Sequence, residues 1–150
     1  MRFEKTVSTV VLVTDQMACE RIIKAASVVS RLNNSQLLVL SVQRSGSKAN
    51  PEALEHLFSV AKEYEAHMVL EFADDVRSAI FNFIADNRAI SAVTGIPEGK
   101  HSVLVQLWQM LPSVEFYTVS MEGQLQEVFS REHHREMVRL EASVGDEIRV

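Results

Sequence analysis

The chain has 150 residues, 47% of them hydrophobic and 23% charged, a balance that suits one globular domain with a substantial core and excludes a largely disordered chain. Its 15 Lys and Arg against 20 Asp and Glu leave a net charge of -5, which repels phosphate backbones, so nucleic acid is not an expected partner and any anion site has to be local. The single Cys19 excludes an internal disulfide, Met1-Arg2-Phe3-Glu4-Lys5-Thr6 is too polar for a signal peptide, and no apolar run approaches the ~20 residues of a membrane span; a cytoplasmic protein is the expectation.

Short β-branched runs alternate with longer segments whose apolar residues recur at helical spacing, the signature of an α/β sandwich. Thr9-Val10-Val11-Leu12-Val13-Thr14 is continuous in its apolar character, as a strand covered on both faces should be. Asp15 closes it, and there the choice lies between an N-cap for the first helix and a ribose or metal contact. Ala18, Ile22, Ala25, Ala26, Val29 and Leu32 then fall on one helix face, ending at Asn33-Asn34, a pair suited to a left-handed cap. Residues 36–42 form the second strand.

Pro51 behind Asn50 reads as the first residue of a second helix behind its cap, with Ala53, Leu54, Leu57, Phe58, Ala61 and Tyr64 as the inward stripe. His67-Met68-Val69-Leu70-Glu71-Phe72 is the third strand, and Asp74 or Asp75 caps a third helix with Val76, Ala79, Ile80, Phe83 and Ile84 inward. The fourth strand begins at Ala89 and leaves through Gly95-Ile96-Pro97-Glu98-Gly99-Lys100-His101-Ser102 into a fourth helix striped by Val103, Leu104, Leu107, Trp108 and Leu111 and stopped by Pro112. Val114-Glu115-Phe116-Tyr117-Thr118-Val119 is the fifth strand. Residues 123–129 fit a short helix or a strand, and beyond the polar run 131–136 the alternation of Val138, Leu140, Ala142 and Val144, with Gly145-Asp146, suggests a β-hairpin. The expected organisation is an α/β domain over residues 1–121 and a C-terminal extension, a hairpin or dimer-interface segment, over 122–150.

Strands joined by single helices run parallel with right-handed crossovers, and ligands of such sheets bind at the carboxyl ends of the strands where strand order reverses. Asp15, the residues after Val42, Asp74-Asp75 and 95–102 therefore collect at one edge. A glycine-bearing turn into a helix N-terminus favours an anion, with Lys100 and His101 adding charge; the competing reading is a tight connection capped by Ser102. An acidic cluster of Asp15 with Asp74-Asp75 would suit a phospho-receiver, but Gln16-Met17 and Ser120-Met121 stand where that class needs an acidic residue and a lysine. His133-His134 point to different sides of any element and have no ligand-spaced companion, so no metal centre is expected. His56 and His67 read as partly buried structural residues, Trp108 as core, and Cys19 has no nearby base to activate it. No catalytic constellation is evident.

Phe72-Ala73-Asp74-Asp75-Val76-Arg77-Ser78-Ala79-Ile80 through Ile84-Ala85-Asp86-Asn87, followed by Ala92-Val93-Thr94-Gly95, resembles the universal stress protein family, including the universal-stress-type domain of potassium-sensing histidine kinases. Val10-Val11-Leu12-Val13-Thr14-Asp15 and Leu38-Val39-Leu40-Ser41-Val42 extend the resemblance, which covers residues 8–121. It implies a three-layer, open, parallel five-stranded sheet in the order 3-2-1-4-5 with helices on both faces, commonly dimeric through the last strand, in a family whose members in part bind ATP. Carried over by position, Asp15, Val42, Gly95, Gly99 and Ser102 match the nucleotide-binding residues. The spacing departs from the family pattern: three residues separate Gly95 from Gly99, Pro97 lies between them, and His101 stands where a final glycine belongs. The expectation is a non-enzymatic stress-response or signalling domain that acts through homodimerisation or a protein partner and retains a degenerate nucleotide site. The alternative is an AMP- or ATP-binding protein with slow ATP hydrolysis.

Overall fold

The protein, analysed as a computed structural model that describes residues 7–96 and 103–129, alternates strands and helices as the two sequence periods require. In chain order the elements are β1 (Ser8–Leu12), α1 (Glu20–Leu32), β2 (Gln36–Arg44), α2 (Pro51–Glu63), β3 (His67–Ala73), α3 (Val76–Asp86), β4 (Ala89–Gly95), α4 (Val103–Met110), β5 (Glu115–Val119) and β6 (Leu125–Phe129), with a 3-10 turn over Met17–Cys19 leading into α1. They make a six-stranded sheet in the order β3-β2-β1-β4-β5-β6. β1 to β5 are parallel, as single-helix crossovers demand, and β6 turns back antiparallel to β5.

Two cores flank the sheet. Val11, Val39 and Val93 point to the face where α1 and α2 bring Ile22, Ile23, Ala26, Leu57 and Ala61. Val10, Leu38, Leu40, Ala92 and Phe116 point to the other, against Ile80, Ile84, Leu107 and Trp108 of α3 and α4. Adjacent residues of each central strand thus serve opposite cores, which is why those strands are apolar without alternation. At the amino-terminal edge the polar residues of β1, β4 and the end of α1 with the turn after it satisfy one another: Thr9 Oγ1 and Ser35 Oγ are 2.6 Å apart, Ser30 Oγ donates to Ser35 O at 2.6 Å, and the Asn33 amide is hydrogen-bonded to Ser35 and Ser91. Such pairing is what allows Thr9, Ser35 and Ser91 to be wholly buried.

Several boundaries differ from the sequence reading. β1 closes at Leu12 rather than Thr14, although Val13 N still donates to Leu40 O at 3.0 Å, and β2 runs on to Arg44 because β3 pairs with it that far. Residues 125–129, open between helix and strand in the sequence, are a strand, since the outer edge of β5 offers them a ladder. His67 is exposed rather than partly buried, standing at the start of edge strand β3. The hairpin expected beyond Val138 lies outside the described residues.

The helix ends follow capping chemistry. Asn50 Oδ1 accepts from Ala53 N at 3.2 Å with Pro51 behind it, and Asp75 Oδ1 accepts from Ser78 N at 3.1 Å. Asn34 takes the left-handed conformation (φ 53°) after α1, and Glu65 (φ 58°) and Arg88 (φ 52°) do the same after α2 and α3. Glu65 and Arg88 carry no sequence signal for it: the short return from helix to strand imposes the conformation on whichever residue stands there. Glu65 is exposed, so Glu65→Gly removes a strained Cβ and loses little else. The expected result is a gain of about 0.5–1 kcal/mol in urea unfolding, after allowing for glycine's freer unfolded chain.

Candidate functional site

Strand order reverses between β1 and β4: the chain leaves β1 toward β2 and β3, then returns across the other face to β4. Backbone ends and loops diverge at such a point and leave a crevice at the carboxyl edge. Registers of Val11 with Val39 and Val93, continued two residues, bring Val13, Ser41 and Gly95 level at that edge. Val42 lies one residue further along β2, half-buried with its side chain packed on the α3–α4 core. Three of the sequence-derived residues, Asp15, Val42 and Gly95, thus belong to one edge, and Gly99 and Ser102 lie outside the described residues.

Asp15 does not cap the first helix. The residue before the 3-10 turn is Gln16 and the one before α1 is Cys19, and neither makes a side-chain capping bond. Asp15 Oδ2 instead accepts from Asn50 N at 2.6 Å, tying the loop after β1 to the cap of α2. Close approach of those two loops supplies a partner 35 residues away that no local pattern could show. His56 on α2 reinforces the same junction, with Nε2 3.1 Å from Glu20 Oε1. Cys19 is buried behind it, its Sγ 3.5 Å from Thr14 Oγ1.

The residue that sequence reasoning missed is Arg21. From the first turn of α1 its Nε donates to Ser120 O at 2.8 Å and its Nη1 to Ala18 O at 2.7 Å. Its Nη2 lies 3.4 Å from where a Cβ on Gly95 would stand, with Ile22 Cδ1 equally close. A guanidinium, planar and always charged, therefore spans the carboxyl ends of β4 and β5. An arginine in a helix beginning with Glu20-Arg21 reads as a solvated charge, and only the fold brings Ser120 to it. Beside it, over β5 and β6, a cleft of ≈ 510 Å³ is lined by Ile96, Thr118, Ser120, Gln124, Leu125 and Gln126.

Asp75, at the same edge, is committed to its helix. Hydrogen bonds from the Ser78 amide and then the Ser78 hydroxyl hold its carboxyl below the ordinary 3.8 against the opposing effect of desolvation, with the Arg77 charge a lesser aid. Asp74, beside it, is not the capping residue.

An open α/β sheet with two covered faces and a carboxyl-edge crevice is the class these features define. No protein-family model matches the sequence, and no curated protein does. Among solved structures, a universal stress protein from Archaeoglobus fulgidus superposes with a TM-score of 0.51 at 19% identity, over 69% of this chain and 87% of that one. A protein of the universal stress protein family from Burkholderia pseudomallei gives 0.50 at 12% identity over 73% and 92%. A class III photolyase from Agrobacterium tumefaciens gives 0.56 at 13% identity, over 79% of this chain, which spans only 27% of that enzyme. The chain has the universal-stress-type fold.

Two outcomes follow. The depressed Asp75 carboxylate adds stability that is present above its unfolded value near 3.8 and is lost as pH falls through the lower folded value. Asp75→Ala should therefore lower the urea midpoint at pH 7, and the gap from wild type should narrow as pH falls below the ordinary 3.8 and the carboxylate is protonated. Gly95 has no left-handed φ and a Cβ there meets neighbours at ordinary contact distance, so Gly95→Ala should leave stability within about 1 kcal/mol of wild type, measured by the same unfolding.

Proposed function

We propose that this chain is a non-enzymatic regulatory domain of the universal stress type, cytoplasmic, which acts by associating with a second copy or a protein partner and whose nucleotide crevice is degenerate. The observation that carries this reading is where the polar groups of the crevice are spent. Asp15 is occupied by the Asn50 amide, and two edges of the Arg21 guanidinium are occupied by the Ala18 and Ser120 carbonyls. A nucleotide entering between β1 and β4 has to break or share these bonds before it gains its own, which lowers its net affinity. The sequence points the same way: Pro97 between the two glycines removes a backbone donor, and a side chain at His101 blocks close approach of backbone to phosphate. Among the described residues no helix is long and apolar enough to cross a membrane, which fits action by association in water.

One observation favours the alternative, an AMP- or ATP-binding protein in which Asp15, Val42, Gly95, Gly99 and Ser102 hold the nucleotide, with slow hydrolysis of ATP. Neither backbone conformation nor packing calls for glycine at position 95, at the carboxyl end of β4 beside Arg21, so a close approach of backbone to a ligand remains a reason for it.

Thermal unfolding with AMP and with ATP and magnesium separates the two. Ligand at ~100 times its Kd raises the Tm of a domain of this size by roughly 5–10 °C. The expected result is no saturable shift at millimolar nucleotide. A saturable shift that Gly95→Val abolishes would establish the alternative.

A further inference from the structure

β6 of the same chain occupies the outer edge of β5, so among the described residues the sheet ends on β6 at one side and on β3 at the other. β3 is paired along one edge only, with β2, in an unbroken register from His67 to Ala73. Ser45 N donates to Ala73 O at 3.0 Å, so by alternation His67, Val69 and Glu71 also turn their backbone N–H and C=O groups to β2. Met68, Leu70 and Phe72 turn theirs outward.

Sheet edges are ordinarily blunted by a proline, a lysine, a bulge or a very short strand. β3 has none of these: it is seven residues long, without proline or lysine, and does not slip against β2. The side chains of its outward-bonding residues are apolar, Met68 and Leu70 half-buried and Phe72 53% exposed. His67 and Glu71 are its charge-bearing residues, on one face of the strand with Val69 between them.

We infer that the outer edge of β3 is an interface that takes β3 of a second copy of this chain, antiparallel, about a two-fold axis at Val69. Such an axis sets each residue against the copy's residue equally far beyond Val69. Met68 and Leu70 then exchange backbone hydrogen bonds with the copy's Leu70 and Met68. His67 falls opposite the copy's Glu71 in a non-hydrogen-bonded pair, where side chains approach most closely. The imidazole N–H donates to the carboxylate, and symmetry makes that contact twice. Phe72 lies across from the copy's Ala66, a small residue that gives the ring room. Other registers lose the match: centred on Leu70 the pairing sets Glu71 against Val69, centred on Glu71 it sets the two carboxylates together, and centred on Met68 it leaves His67 against Val69. Charge thus selects both the occupant and its register. At the other end of the sheet Glu127 is the charged residue of β6, with Glu115 also beside Tyr117, and a second copy would bring like charge to like. The inference rests on the association reading above and names its partner and its surface.

The test follows the full chain by sedimentation velocity over a concentration series. Wild type is expected to be a reversible dimer, and His67→Glu, at an exposed side chain, should raise the dimer Kd at least about tenfold by setting carboxylate against carboxylate twice. Combining His67→Glu with Glu71→His exchanges the two groups and should return Kd to near the wild-type value, which a misfolded variant could not do. Val69→Cys should join two copies on mild oxidation, because Cα atoms of a non-hydrogen-bonded pair lie about 4.5 Å apart, within disulfide reach, whereas wild type with its buried Cys19 should not cross-link. A wild type that is monomeric at every accessible concentration overturns the inference and leaves only a protein partner for the association reading. A wild-type dimer that His67→Glu leaves equally tight, that the exchanged pair fails to restore or that Val69→Cys does not cross-link also overturns it, with association then standing at another surface. Saturable nucleotide binding by wild type, a separate measurement, overturns the association reading itself, while mass and cross-linking still judge the β3 contact.

Discussion

The burial of β1 from every side is the constraint on which the rest of the molecule depends. Val10 and Val11 are completely removed from water, one in each core, and β1 is paired in parallel along both of its edges. A strand in that position has no exposed backbone and no exposed face, so it must be apolar throughout and must have helices above and below. Once it is central, chain connectivity forces the rest: α1 and α2 lie on one face on the way out to β3, and α3 and α4 on the other on the way back to β4 and β5. The crevice at the carboxyl edge is the geometric residue of that reversal.

What the crevice can do is decided by competition for a few polar groups. Open sheets of this kind hold anions because loop amides and a helix N-terminus lie unpaired at the strand ends. Here the carboxylate after β1 and the guanidinium at the start of α1 have found partners within the protein, in the cap of α2 and the turn after β5. Those bonds rigidify the edge and link the crevice to the far side of the sheet. Arg21 stands at the centre of that link, since its guanidinium lies beside Gly95 while its Nε fixes the turn that introduces β6. The crevice and the sheet edge are in this sense parts of one structure.

Much of this was legible in the residues. Continuous apolar runs gave the central strands, and helical stripes gave Ile22, Leu57, Ile80 and Leu107, now found buried, although Leu32 and Phe58 of the same stripes are exposed. Asn50-Pro51, Asp74-Asp75 and Asn33-Asn34 announced helix ends because capping is local chemistry, and the structure selects Asp75 and Asn34 within the two pairs. The resemblance carried by residues 72–95 led to the observed order 3-2-1-4-5. Harder to read were Asp15, whose chemistry equally suits a cap, and Glu65 and Arg88, whose left-handed backbone comes from the path of the chain and not from their side chains. The identity of β6 as a strand was undetermined because five residues can adopt either form until a neighbouring edge selects one.

By itself the sequence determined what periodicity and contacts within a turn govern: the elements from β1 to β5, the caps of α2 and α3, the two-faced burial of the sheet and hence its class. The tertiary structure alone decided where the long polar side chains were spent. Asp15 meets a partner 35 residues away and Arg21 one 99 residues away, and a hydrogen bond between such distant groups leaves no periodic trace in the chain. The candidate site depends on those two bonds, which is why the fold could be read from the residues before the site could.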